Sequence, residues 1–131
     1  MRDHHSHTLM ILGRAGLASL FILGGINKCL NYSVILAGMQ EQQLEPAPLL
    51  LPFVIAIELA GGAIVATGHR WILLAGPGLA AFTLATNFTY HDFWNQSGLR
   101  AELELSMFFK NLSIAGGLLL ATGAALRTAI R

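Results

Sequence analysis

Charged residues are scarce in this chain. Only 11% of its 131 residues are Asp, Glu, Lys or Arg, whereas 54% are hydrophobic. Soluble domains carry about 25% charged residues, so the composition argues strongly against a water-soluble domain. It also excludes a disordered chain, because disorder requires low hydrophobicity and high net charge. The formal net charge of +1 predicts no nucleic-acid partner, since such binding needs a basic surface.

Cysteine is almost absent as well. With Cys29 alone, the chain can build no internal disulfide, CxxC redox pair or cysteine-based zinc site. His69 and His91 fall on opposite sides of the predicted membrane, which disfavours a haem held by two histidines. The sequence therefore predicts no metal site.

The few charges avoid four long windows, and this distribution predicts the fold. A helix needs about 20 mainly apolar residues to cross the hydrocarbon core of a bilayer. Four windows meet this requirement, at residues 8–26, 48–67, 71–90 and 105–126. We therefore predict an all-α integral membrane protein, a four-helix bundle of up-down topology that forms a single transmembrane domain over residues 1–131.

The connections predict the orientation and one further element. One side of the membrane would hold Arg2, Arg70, Arg127 and Arg131, and the other would hold Lys28 and Arg100. Because cytoplasmic connections are enriched in Lys and Arg, both termini are predicted to lie in the cytoplasm. Residues 27–43 are too polar to span, and they predict either a short interfacial helix or a continuation of the first helix.

Three ionisable residues interrupt the predicted spans: Arg14, Glu58 and Lys110. An Arg, Lys or Asp at the centre of a spanning helix costs about 2.5–3.5 kcal/mol, so such residues usually face the protein interior and have a partner. At about 1.5 Å per residue, Arg14 lies roughly 9 Å and Glu58 roughly 14 Å from the same membrane face. One interpretation is therefore an Arg14–Glu58 ion pair that fixes the order of the helices.

A functional interpretation of the same charges is a polar pocket for a quinone headgroup. Lys28, His91, Lys110 and Asn111 would bind the ligand, because quinone carbonyls accept hydrogen bonds. Glu58 and His91 would be the catalytic, proton-exchanging groups. A structural alternative stays open, in which Lys28 extends toward lipid headgroups, while Asn87 and Asn111 are simple interhelical hydrogen-bonding residues.

The sequence resembles the DoxX family of membrane proteins over most of its length. The resemblance is carried by Gly13-Arg14 with Phe21, Gly24-Gly25 and Lys28, by Ile57-Glu58-Leu59 with Gly61-Gly62 and Gly68, by His91-Asp92-Phe93-Trp94, and by Phe109-Lys110-Asn111 running into Ile114-Ala115-Gly116-Gly117. In the first loop, the sequence lacks the Gly-x-Pro turn that is common in the family.

The resemblance implies a four-helix protein of the inner membrane. It also implies a link to quinone-coupled oxidation, because the family takes its name from a subunit of a thiosulfate:quinone oxidoreductase, and relatives are associated with oxidative or thiol stress. The expected partners are the lipid bilayer and a membrane or peripheral oxidoreductase, with quinone as the expected cofactor. Two alternatives remain: a non-catalytic scaffold that docks a partner enzyme, and a small transporter, which would need to be a homo-oligomer.

Overall fold

The computed structural model of the protein describes the backbone of residues 2–129 and the side chains of residues 5–127. This part of the chain forms α-helices and one short 3₁₀ helix, with no strand, which confirms the all-α fold class. The helices are α1 (Arg2–Leu30), α2 (Tyr32–Glu41), α3 (Ala47–Thr67), α4 (Ile72–Tyr90) and α5 (Gly98–Ala129), with the 3₁₀ helix at Phe93–Asn95 between α4 and α5.

Four segments of the described chain are long and apolar enough to cross a membrane. They are His5–Leu30, Ala47–Thr67, Ile72–Asn95 and Gly98–Arg127, and each of them overlaps one of the four predicted windows. Helices α3 and α4 begin within one residue of the predicted spans. Helices α1 and α5 extend beyond their predicted spans, because each continues into polar sequence that composition alone does not count as membrane-spanning.

The polar segment after the first span combines the two forms that the sequence left open. Helix α1 continues to Leu30, and a separate helix α2 starts after a break at Asn31. At the break, the Asn31 side chain donates to the backbone and side-chain oxygens of Asn27. Helix α2 then packs on the start of α3, where Met39 and Leu51 are buried.

The contacts divide the chain into two compact units, and the first of these ends at His69. In it, α1 packs antiparallel to α3. Gly62 on α3 lies against Ile22, and toward the end of α3 Gly68 lies against Arg14. Since residue numbers fall along α1 as they rise along α3, these contacts fix the register of the pair.

The second unit begins at Arg70 and pairs α4 with α5, again antiparallel. Gly76 near the start of α4 lies against Thr122 near the end of α5. Toward the other end of the pair, Asn111 donates to Asn87. Leu79 and Leu118, which lie between these two contacts along their helices, are tightly buried.

Candidate functional site

The polar centre of the first unit is an ion pair between Lys28 in the last turn of α1 and Glu58 in α3. The Lys28 ammonium lies 2.9 Å from each carboxylate oxygen of Glu58 and donates to both. Glu58 is almost buried, with 10% of its side chain exposed, whereas 26% of the Lys28 side chain is exposed. The pair therefore presents a cation toward the surface and holds its counter-charge beneath.

Two consecutive glycines on α1 create the space for this carboxylate. A Cβ atom at Gly24 would lie 3.6 Å from Glu58 Oε2, so the Gly24 backbone borders the carboxylate directly. A Cβ at Gly25 would lie 2.7 Å from Cδ2 of Leu59, closer than real contacts allow. A Cβ at Gly24 would therefore make only ordinary contact, whereas the absence of a side chain at Gly25 lets α1 and α3 approach closely where Lys28 and Glu58 meet.

The predicted ion pair between Arg14 and Glu58 is wrong. The partner of Glu58 is Lys28, and Arg14 instead lies against Gly68. Gly68 follows Glu58 by ten residues, or about 15 Å along a helix axis. The predicted spans 8–26 and 48–67 run antiparallel, so they would bring residue 8 to the same membrane depth as residue 67. In the structure, Arg14 lies at that depth instead.

Arg14 meets the end of α3 at a left-handed residue. Gly68 has φ 67° and forms the C-cap of α3, with its backbone N–H donating to Ile64. The space that a Gly68 side chain would need is filled by the Arg14 guanidinium. The last carbonyls of a helix form its negative end and attract cations, which gives Arg14 a structural role at this position. Its buried Nε has no hydrogen-bond partner among the side chains that the structure describes.

A second carboxylate contact occurs in the other unit, between His91 and Glu104. His91 Nδ1 lies 2.7 Å from Glu104 Oε2. His91 is the C-cap of α4, and its backbone N–H donates to Asn87. The sequence singled out His91 but not Glu104. The sequence did carry a signal for this contact. The histidine follows one predicted span directly and the acid directly precedes the next, so both lie at a similar predicted depth.

An aromatic cluster holds the turn that carries His91. Phe108 of α5 makes edge-to-face contacts with Phe93 and Trp94 of the 3₁₀ helix and with Phe88 of α4. The ring centroids lie 5.4 to 6.2 Å apart, within the range of favourable aromatic pairs. The cluster packs the turn against α5, the helix that carries Glu104.

Asn111, one of the predicted ligand donors, is engaged inside the second unit. Its Nδ2 donates to Asn87 Oδ1 at 2.9 Å, and Asn87 in turn donates to the backbone carbonyl of Phe108. Asn87 is fully buried. These contacts favour the structural interpretation, in which the two asparagines join α4 to α5.

Lys110 is exposed on α5, and its ammonium lies 2.9 Å from the sulfur of Met107. Because Met107 lies one turn nearer the start of α5, the Lys110 side chain extends toward the start of that helix. Among residues 5–127, no carboxylate forms an ion pair with Lys110. A role for Lys110 in ligand binding stays a prediction.

The site residues thus form separate pairs: Lys28 with Glu58, His91 with Glu104, and Asn87 with Asn111. The first pair offers a hydrogen-bond donor with positive charge, and the second offers a histidine oriented by a carboxylate. Within the described residues, no group of three or more His, Cys, Asp or Glu side chains could hold a metal ion.

Two comparisons with known proteins bear on these residues. The family model described as DoxX matches residues 9–92, a range that includes Lys28, Glu58 and His91. Inner membrane protein YqjF of Escherichia coli strain K12 is 33% identical over 115 residues, which cover 85% of this chain and 79% of that protein. No solved structure matches the chain.

Proposed function

Because this chain belongs to the DoxX family, we propose that it is the inner-membrane subunit of a quinone-linked oxidoreductase system. The system would act on thiosulfate or another reduced sulfur compound, or in the response to oxidative stress. Both termini would lie in the cytoplasm. The protein would bind the quinone headgroup, and a partner oxidoreductase would deliver the electrons to the bound quinone.

The observation that carries the proposal is the partial exposure of Lys28 above a nearly buried Glu58. A lysine ammonium has three N–H donors, and two of them are directed at the Glu58 oxygens. The third remains available to a ligand. This positively charged donor lies at the end of α1 and is fixed by a carboxylate. Such a donor suits a carbonyl oxygen that gains negative charge during reduction.

Each proposed residue has a distinct task. Lys28 donates to a quinone carbonyl, while Glu58 holds the ammonium in place and exchanges protons with the ligand. His91 is the second proposed proton-exchanging group, and Lys110 is a further proposed ligand donor. The overall change is the reduction of a quinone by two electrons and two protons to a quinol, with the electrons supplied by the partner's oxidation of its own substrate.

The test is gentle purification from native membranes, followed by identification of extractable quinone and of co-purifying proteins in the same sample. We expect quinone to be retained and an oxidoreductase to co-purify. Binding of decylubiquinone is then measured by equilibrium dialysis in lipid nanodiscs. Since a hydrogen bond to a charged group contributes about 1.5–3 kcal/mol, Lys28→Met should weaken binding at least about tenfold.

Arg127→Met is the matched control, because Arg127 is an exposed cation in the last turn of α5 and has no proposed contact with the ligand. It should bind decylubiquinone as the wild type does. Equal affinity of the wild type and Lys28→Met would contradict the proposed site. Co-purification of a partner with no retained quinone and no decylubiquinone binding would favour the scaffold function instead.

A further inference from the structure

The contact between His91 and Glu104 has the form of a histidine oriented by a carboxylate. The two side chains meet through Nδ1 and Oε2 at 2.7 Å, and each is about a quarter exposed, at 24% and 22%. Glu104 belongs to the second turn of α5, and His91 ends α4. The pair is thus held by two helices and remains open to a small ligand or to water.

We propose that Glu104 is a positioning residue, which holds the His91 ring through Nδ1 and leaves Nε2 as the atom that exchanges protons with a ligand hydroxyl. The inference rests on the proposed function for the identity of that ligand, which is a quinol. The orientation of the ring by Glu104 rests only on the contact described above.

The tautomer of His91 follows from the nature of its hydrogen-bond partner, the Glu104 carboxylate. An ionised carboxylate can only accept hydrogen bonds, so a short contact with Nδ1 requires a proton on that nitrogen. In a neutral ring, the other nitrogen then carries a lone pair. Carboxylates that orient histidines in this way fix both the tautomer and the ring orientation, and they stabilise the charged ring when it forms.

The neighbouring acid does not compete for this role. Asp92 follows His91 directly, but its two oxygens accept hydrogen bonds from Asn95 and Gln96 in the turn. Glu104 is therefore the carboxylate that faces the ring. Its position one helix away from His91 makes the orientation depend on the packing of α4 against α5.

The chemical step is a proton transfer. As the Nε2–H bond forms, the O–H bond of a quinol breaks, and the ring becomes positively charged. The Nδ1–H···Glu104 hydrogen bond then becomes charge-assisted and stronger. In the reverse direction, the Nε2 proton passes to the oxygen of the reduced quinone. No electron moves in this step.

The experiment measures the tautomer by nitrogen NMR of the full chain, labelled with ¹⁵N-histidine, in lipid nanodiscs. His91→Gln identifies the His91 signals by difference. We expect neutral His91 of the wild type to carry its proton on Nδ1. In Glu104→Ala, the signals should shift toward the Nε2–H form that unconstrained histidines prefer. Glu104→Gln, whose amide oxygen can still accept from Nδ1–H, should retain the Nδ1–H form.

Glu102→Ala is the matched control, since Glu102 is an exposed acid two residues away on the same helix. It should leave the His91 signals unchanged. An unaltered tautomer in Glu104→Ala would overturn the proposal, as would an Nε2–H form in the wild type. Retention of the fold is checked by circular dichroism for each variant, and Glu104→Gln tests the contact with the least change in shape.

Turnover gives the second readout. In native membranes that contain the partner, with decylubiquinone as acceptor, Glu104→Ala should lower kcat by up to about 100-fold, the lower end of what a positioned proton-exchanging side chain contributes, with a much smaller effect on KM. Glu104→Gln should recover part of the loss. If the wild type shows no quinone turnover, the proposed function fails, but the tautomer would still report the positioning by Glu104. If turnover occurs and Glu104→Ala does not change it, the proton-exchanging role is overturned.

Discussion

The guanidinium of Arg14 fills the space that a side chain at Gly68 would occupy. The contact joins the first half of α1 to the C-cap of α3, ten residues after Glu58. Gly68 has a positive φ of 67°, which disfavours any residue with a Cβ atom. Two independent constraints therefore require glycine at this position.

Gly68→Ala should destabilise the protein for both reasons. The left-handed backbone alone costs about 1–2 kcal/mol for an L-residue, and the new methyl group also displaces Arg14. Thermal unfolding in mild detergent measures the loss. Gly16→Ala is the control, because a Cβ there meets nothing within 4 Å and should be neutral or stabilising. Gly68→Ala combined with Arg14→Ala should recover only the steric part, and a fully stable Gly68→Ala would contradict the structure.

Removal of Lys28 should leave Glu58 nearly buried without its counter-charge. Breaking a buried pair costs about 3–5 kcal/mol, and we expect a smaller loss of about 2 kcal/mol, because a quarter of Lys28 is exposed. The double variant Lys28→Met with Glu58→Gln should lose less unfolding free energy than the sum of the losses in the two single variants. Denaturant unfolding measures this coupling, and strict additivity would contradict the ion pair.

The contact of Gly76 with Thr122 should make α4 and α5 sensitive to a single methyl group. A Cβ at Gly76 would collide with the Thr122 hydroxyl oxygen, and overpacking typically costs about 1–3 kcal/mol. Thr122→Ala should relieve most of this loss in the double variant. Gly78→Ala, two residues along the same helix, meets nothing within 4 Å and should be tolerated. Equal thermal stability of the two single alanine variants would show that the helices do not approach as described.

The sequence predicted the all-α class and four long apolar helices, because a bilayer imposes an apolar composition over a fixed length. Helix α3 has clear limits, since Ala47 follows a proline and Gly68 ends the helix in a left-handed conformation. The early part of α1 has no such limit, because the helix continues through polar residues. Composition therefore could not give its register against α3.

The candidate site was predicted less completely for the same reason. The sequence alone indicated which kinds of residue belong to the site, because charged residues within a span require a partner. Their pairing depends on register, and an error of two turns exchanged Lys28 for Arg14 as the partner of Glu58. Glu104 was missed because an acid near the start of a helix is ordinary in a sequence, and only its approach to His91 distinguishes it.

Asn87 should contribute to the stability of the α4–α5 pair through its two interhelical hydrogen bonds. Such bonds average about 0.6 kcal/mol in membrane proteins and reach about 1.7 kcal/mol, so Asn87→Ala should cost about 1 kcal/mol. A double-mutant cycle with Asn111→Ala measures their coupling. Thr89→Ala is the control, because its hydroxyl bonds to carbonyls of its own helix. A coupling of zero would contradict the contact.

The only cysteine of the chain offers a test of the predicted orientation. Cys29 is exposed and lies next to Lys28 in the last turn of α1, 15 residues after Arg14, which lies against Gly68. If both termini are cytoplasmic, as the Lys and Arg distribution predicts, a membrane-impermeant maleimide should label Cys29 in right-side-out vesicles and not in sealed inverted vesicles. Mass spectrometry of the intact protein measures the modification.

The control for this labelling moves the thiol to the other end of α3. In the Cys29→Ser background, His69→Cys places it directly after Gly68, at an exposed position, and should give the reverse pattern. Labelling of both thiols from the same face of the membrane would contradict a spanning α1–α3 pair, because Cys29 follows Arg14, the residue against Gly68, by 15 residues, which separates the two positions by about 22 Å along the helix axis. Exchange of the two patterns would instead retain the spans and reverse the orientation, which would place the Lys28–Glu58 pair nearer the cytoplasm.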